Sequence, residues 1–161
     1  MVQMELLGVR LELPANAPVV LLREQGGGRV LPIYIGPEEA KAIALALEGV
    51  TTPRPMTHDL MRDLLRALGA SVQRIVLTEL RESTFYAEVE LALGGAVHRV
   101  SSRPSDAIAL AVRVDAAIFA SDEVLDDAGA PALEGRPEEQ EQIVDEFRQF
   151  IEQVNPEDFS S

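Results

Sequence analysis

The sequence predicts an α+β fold, a mixed, largely antiparallel sheet with helices packed on it, followed by a C-terminal amphipathic helix. Three observations carry that reading. Phe85 to Leu93 alternates strictly, with Phe85, Ala87, Val89, Leu91 and Leu93 on one side and Tyr86, Glu88 and Glu90 on the other, as a half-buried strand requires. Glycine runs at Gly26–Gly28 and Gly94–Gly95 fold apolar segments back on themselves as hairpins. Between the hairpins lie segments whose apolar residues recur at helical spacing behind proline, acidic or hydroxyl residues.

In chain order, Val2, Met4 and Leu6 share one parity and Val9, Leu11 and Leu13 the other, so the first strand changes phase near Gly8, where a bulge is expected. Pro14 to Pro18 is a turn, and the continuous apolar run inside Val19 to Glu24 is that of a strand buried on both faces. The triple glycine reads as a tight turn into Val30 to Ile35. A phosphate loop would need a following Lys-Ser or Lys-Thr and a helix, and has neither. Gly36-Pro37-Glu38-Glu39 opens a helix with Ala40, Ile43, Ala44 and Leu47 on one face, ended near Gly49. After a stiff loop, Thr51 to Pro55, Thr57 is expected to cap a second helix with the stripe Met61, Leu64, Leu65 and Leu68. Val72 to Leu80, Phe85 to Leu93 and Ala96 to Ser101 form a meander that feeds the helix beginning RPSDAIALAVR, Arg103 to Arg113. Pro104 suits its first position, Asp106 meets the positive end of its dipole, and the apolar body AIALAV marks it as buried. Ile118 and Phe119 form a short extended piece, Ser121 caps a brief helix through Asp127, and Asp127 to Arg136 is a linker. Beyond it, Ile143, Phe147, Phe150, Ile151 and Val154 recur at helical spacing in an acidic setting, expected to dock on the body or on a protein partner. Residues 1–130 are thus one domain and 131–161 an acidic linker and helix.

The chain has 161 residues and a net charge of −13, with 14 basic against 27 acidic residues, which argues against an indiscriminate electrostatic hold on nucleic acid. The tail from Pro131 holds 9 acids and 2 bases, so the body is itself acidic without it. With no cysteine, disulfides, thiolate metal sites and a cysteine nucleophile are excluded, and chemistry is left to His58, His98, carboxylates and hydroxyls. No apolar run long enough to span a membrane and no secretory leader is present in the sequence, from which a cytoplasmic protein without membrane contact is expected.

Two polar clusters sit at helix mouths. PRPMTHDL, Pro53 to Leu60, places Arg54, Thr57, His58 and Asp59 where free N–H groups attract an anion, and the positive helix end there favours a neutral imidazole able to act as base or metal ligand. Arg103, Ser105 and Asp106 form the second. Each cluster taken alone is explained by ordinary capping and dipole chemistry. If they converge, they form an anion pocket in which Asp59 and Asp106 hold a divalent cation, Mg or Mn, while Arg54 and Arg103 engage phosphate, which is what metal-assisted phosphodiester cleavage requires. Glu38 and Glu39 are dipole carboxylates that can join the rim, Glu88 and Glu90 mark a solvent-facing strand surface, and His98 is a surface or interface residue. Serine-hydrolase and nucleotide-triphosphatase motifs are absent, and Tyr34, Tyr86 and the five phenylalanines are too scattered for a base-stacking platform.

The stretches LPIYIGPEEAKAIALALEG (Leu31 to Gly49), PRPMTHDLMRDLLRALG (Pro53 to Gly69), STFYAEVEL (Ser83 to Leu91) and RPSDAIALAVR resemble, in order and spacing, the bifunctional nuclease domain family over approximately Val2 to Ala130. The resemblance implies an α+β homodimer and, as in plant members, cleavage of both DNA and RNA. Its motif positions fall on Glu38, Glu39, Arg54, His58, Asp59, Arg103, Ser105 and Asp106. Many members carry an acidic residue two places before the motif arginine, where this chain has Ser101, which would weaken a metal site that used it. The function expected is a nuclease with His58, Asp59 and Asp106 catalytic, Arg54, Thr57, Arg103 and Ser105 binding substrate, and Asp59 and Asp106 holding the cation. The alternative is a non-catalytic dimeric regulatory or scaffolding module that takes a small anion in the same pocket and a protein partner on its acidic helix.

Overall fold

A computed structural model describes residues 1–132. Eight strands and four helices alternate in groups: β1 (Val2–Glu12), β2 (Ala17–Glu24), β3 (Arg29–Tyr34), α1 (Pro37–Leu47), α2 (Thr57–Ala67), β4 (Ser71–Arg81), β5 (Thr84–Leu93), β6 (Ala96–Ser102), α3 (Pro104–Val114), β7 (Ala117–Ala120), α4 (Asp122–Ala128) and β8 (Ala130–Pro131). The strands form one sheet in the order β6-β5-β4-β7-β1-β2-β3-β8. Its pairings are antiparallel except that of β7 with β4, so the sheet is mixed and largely antiparallel, as the hairpin signals predict.

Local chemistry accounts for these elements. The phase change in β1 is a bulge between Leu6 and Gly8, where Gly8 adopts φ 148°, a conformation disfavoured for residues with a Cβ. Pro18 to Leu22 are all buried, as their unbroken apolar run requires. The short piece around Ile118 is β7, which bridges β4 to β1 at the centre of the sheet. Ser121 caps α4 by accepting a hydrogen bond from the Val124 amide at 3.1 Å.

The core lies where α1 and α3 meet the sheet. Helix α3 runs against β4, β5 and β7 with α1 and α2 packed beside it, and every residue from Ala107 to Ala111 is at most 1% exposed. Truncating Ile108 or Leu110 to alanine there would cost about 2–5 kcal/mol.

Four expectations are corrected. Thr57 is the first residue of α2 and not its cap. The cap position falls on Met56, whose amide is satisfied by the Asp59 carboxylate at 3.0 Å, leaving the Thr57 side chain at the surface. In α2, Met61 and Leu65 face the core, but Leu64 and Leu68 do not, because α2 packs mainly on α3 and a single line of residues fills that contact. Glu90 is only 7% exposed and not on a solvent face, since Arg74 of β4 grips it at 2.6 and 3.1 Å while lying over the Phe119 ring, and Arg99 of β6 stands at 3.5 Å. Ala130 and Pro131, within the expected linker, instead pair with Val30 and Arg29. The expected C-terminal amphipathic helix, with its docking to body or partner, lies outside the described residues.

Candidate functional site

The helix starts at α1, α2 and α3 converge. Glu38 and Glu39 stand in the first turn of α1, Thr57 and His58 in that of α2, and Asp106 in that of α3, with Arg103 as the residue that caps α3. Together with Ala42, Leu45 and Met56 they line a cleft of about 240 Å³. Each helix start is fixed by its own sequence: Pro37 and Pro104 begin α1 and α3, and Asp59 closes α2 onto its cap.

One chain of hydrogen bonds ties the three mouths together. His58 is 7% exposed, and its Nε2 lies 2.9 Å from Asp106 Oδ1. Arg103 donates from Nε to Asp106 Oδ2 at 2.8 Å, from Nη2 to Asp106 Oδ1 at 3.1 Å, and from Nη1 to Glu39 Oε1 at 3.0 Å. Burial pushes the Asp106 carboxyl up, but the hydrogen bonds from Arg103 and His58 outweigh it and hold the group below the usual carboxylate range. Those same bonds to Asp106, and next the one to Glu39, raise the already high Arg103 value. An ionised Asp106 can only accept, so the imidazole donates Nε2–H to it, and Nδ1 is the ring nitrogen outside this pair. The Arg103 side chain is 64% exposed, and a guanidinium carries five N–H groups, so after these three bonds two remain for a ligand.

Asp59 belongs to a different arrangement. Its Oδ1 accepts from Arg113 Nε at 2.7 Å and its Oδ2 from the Met56 amide, while Arg113 also donates to the Ala109 carbonyl at 2.9 Å. Burial raises the Asp59 carboxyl, and the Met56 amide and Arg113 outweigh that to leave it lowered. Of the residues singled out from sequence, His58, Asp106, Arg103, Thr57, Glu38 and Glu39 are thus brought together. Asp59 is directed to Arg113, Ser105 is buried in α3, and Arg54 stands exposed in the loop before α2, outside the lining. A cation shared by Asp59 and Asp106 would have to displace an arginine from each. Among the described residues no group of three or more His, Cys, Asp or Glu forms a metal-holding cluster.

Arg113 is the residue that sequence reasoning did not single out. A signal existed, since a lone cation on a helix that is apolar nearly all round must find a partner, and the side chain is only 5% exposed.

Comparison with known proteins bears on this arrangement. The model of the bifunctional nuclease domain matches residues 20–132, which include every residue of the cleft. An uncharacterized protein of Mycobacterium tuberculosis is 43% identical over 164 aligned positions, covering 99% of this chain and 98% of its own. A bifunctional nuclease of Oryza minuta is 27% identical over 154 positions, covering 92% of this chain, and bifunctional nuclease 1 of Arabidopsis thaliana is 32% identical over 107 positions, covering 63%. The matches span 46% and 33% of those two plant proteins' own lengths.

Proposed function

The chain belongs to the bifunctional nuclease domain family, and on that premise we propose that it hydrolyses phosphodiester bonds of DNA or RNA at the cleft between the mouths of α1, α2 and α3. The observation that carries the reading is the His58–Asp106–Arg103 chain, which sets a base, the carboxylate that orients it and a phosphate-binding fork side by side. The two free N–H groups of Arg103 hold a non-bridging phosphate oxygen, Thr57 adds a hydroxyl, and Arg54 supplies charge at the approach. His58 accepts a proton from water as the water oxygen bonds to phosphorus. The bond from phosphorus to the leaving sugar oxygen breaks, and that oxygen takes a proton from solvent. Asp106 stabilises the imidazolium that forms, and Arg103 offsets charge on the phosphoryl oxygens.

A divalent cation, Mg or Mn, would supply Lewis-acid activation of the phosphate. The donors present do not fit a resident one, because both acidic residues expected to hold it are already bound to arginine. Asp59 acts instead as a positioning residue. The net charge of −13 makes binding depend on Arg103 at the cleft rather than on the surface field. The reading includes a cytoplasmic homodimer, and light scattering of the purified chain checks the dimer. No helix among the described residues is long and apolar enough to cross a membrane.

The test is cleavage of single-stranded DNA and RNA by purified protein in EDTA, Mg or Mn, beside His58→Ala and Asp106→Ala. Loss in both variants supports the site, and unchanged activity in both points to a contaminant. Strict dependence on Mg or Mn would mean that the cation arrives with the substrate and displaces an arginine. Tight phosphate or nucleotide binding with no cleavage would turn the reading toward a non-catalytic anion-binding module.

A further inference from the structure

Two neighbouring glutamates open α1 and are used differently. The Glu38 side chain is 75% exposed and is met by Lys41 at 3.1 Å, the ordinary surface use of a first-turn carboxylate. Glu39 is turned inward, 23% exposed, and its Oε1 accepts from Arg103 Nη1 at 3.0 Å across 64 residues of sequence. Asp106 grips the same guanidinium on another edge, through Nε and Nη2. Arg103 is long and largely exposed, and one carboxylate from its own helix leaves it free to pivot. A second carboxylate, from α1 and on a different nitrogen, fixes the plane of the guanidinium.

Glu39 can take this position because of the residue that caps its helix. Gly36 has φ −75° and ψ 160°, the extended conformation that residues before proline adopt, so its backbone does not call for glycine. Space does. A Cβ at Gly36 would overlap Glu39 Oε2, and the three atoms nearest to it all belong to the Glu39 carboxylate. Serine or aspartate, common choices at a helix cap, would displace that carboxylate as well. Gly36 therefore seats Oε2 while Oε1 holds Arg103.

We propose that Glu39 is a positioning residue for the phosphate-binding Arg103, and that position 36 is glycine because any side chain there would push the Glu39 carboxylate off the guanidinium. The role of Arg103 rests on the hydrolase reading, whereas the hold of Gly36 and Glu39 on it is measured without activity.

Phenylglyoxal condenses with the two Nη nitrogens of an arginine, and the mass of the peptide carrying Arg103 reports its rate, with exposed Arg66 of the same chain as reference. In the parent, Arg103 should react more slowly than Arg66, because carboxylates hold both Nη nitrogens and keep the group protonated. Gly36→Ala and Glu39→Ala should each raise the Arg103 rate severalfold, and Glu39→Gln, which keeps an Oε1 acceptor, should raise it much less. The double variant Gly36→Ala, Glu39→Ala should match Glu39→Ala alone, since alanine at 36 acts only through the carboxylate. In cleavage of single-stranded DNA the same order should appear in kcat, with KM moving less. Gly36→Ala should lose about 10-fold or more, given that a displacement near 1 Å can cost about 10²-fold.

Arg103 equally reactive in the parent and the alanine variants would overturn the proposal, as would a double variant exceeding Glu39→Ala. Faster modification with kcat unchanged would overturn it too, and a loss of kcat without faster modification would mean a general disturbance of α1. A parent chain without cleavage would remove the hydrolase reading, and the modification rates alone would then decide whether Gly36 and Glu39 hold Arg103.

Discussion

Asp59 and Asp106 occupy the same place in their helices, three positions after the cap, and each holds an arginine, yet they serve different ends. Asp59 of α2 is bound by Arg113, a side chain 5% exposed, and by the amide that starts its own helix. Asp106 of α3 is bound by Arg103, 64% exposed and bordering the cleft, and by His58 from α2. The adjacent residues His58 and Asp59 therefore reach two points on α3 about 10 Å apart, so α2 is strapped at both a rigid and an open point. The same sequence device builds a strut when the arginine is buried and a candidate site when it is exposed.

Substitutions separate the two mouths. His58→Ala should give the largest effect, lowering nucleic-acid cleavage by about 10²- to 10⁴-fold, the usual contribution of a general base, measured at fixed substrate with circular dichroism to confirm folding. Arg113→Met, which strands Asp59, should cost about 1–3 kcal/mol in urea unfolding. Arg103→Met, at the open mouth, should cost less than about 1 kcal/mol because exposed pairs contribute little, while weakening binding to single-stranded DNA. If Arg103→Met proves as destabilising as Arg113→Met, the distinction between strut and site fails.

The smallest effect is in pH. Both carboxyls sit below their unfolded-state value, so each contributes stability that is fully present above that value and is lost as pH falls through the folded one. Urea midpoints followed downward from pH 6 should fall below about pH 4, where free carboxylates titrate. Asp59→Asn should be less stable than the parent near neutrality and show a shallower acid loss. An unchanged acid slope would place the titration elsewhere.

Much of this was legible in the chain itself. Pro37, Pro104 and the alternation of Phe85 to Leu93 each follow from local rules of φ, capping or pleat, and these rules hold wherever the segment lies. Convergence of the three helix mouths was not legible, because it depends on α1 and α2 both lying against α3. For the same reason, the sequence alone leaves Asp59 open as a ligand. A carboxylate in a first turn looks the same in sequence whether its arginine comes from the cleft or from the far end of another helix. Glu90 shows the limit from the other side, since alternation alone places it in solvent, and arginines on the two neighbouring strands, Arg74 foremost, bring it inside. In α2 the stripe of four apolar residues was visible, but not which half of it the body would leave uncovered.

The most direct measurement is a double-mutant cycle on His58 and Asp106, reading kcat/KM for cleavage of one single-stranded substrate with His58→Ala, Asp106→Asn and both together. If the two act as one base and its orienting carboxylate, the double variant should be no slower than the slower single variant, a strongly non-additive result. Losses that simply multiply would show independent roles and contradict a shared catalytic unit at the cleft.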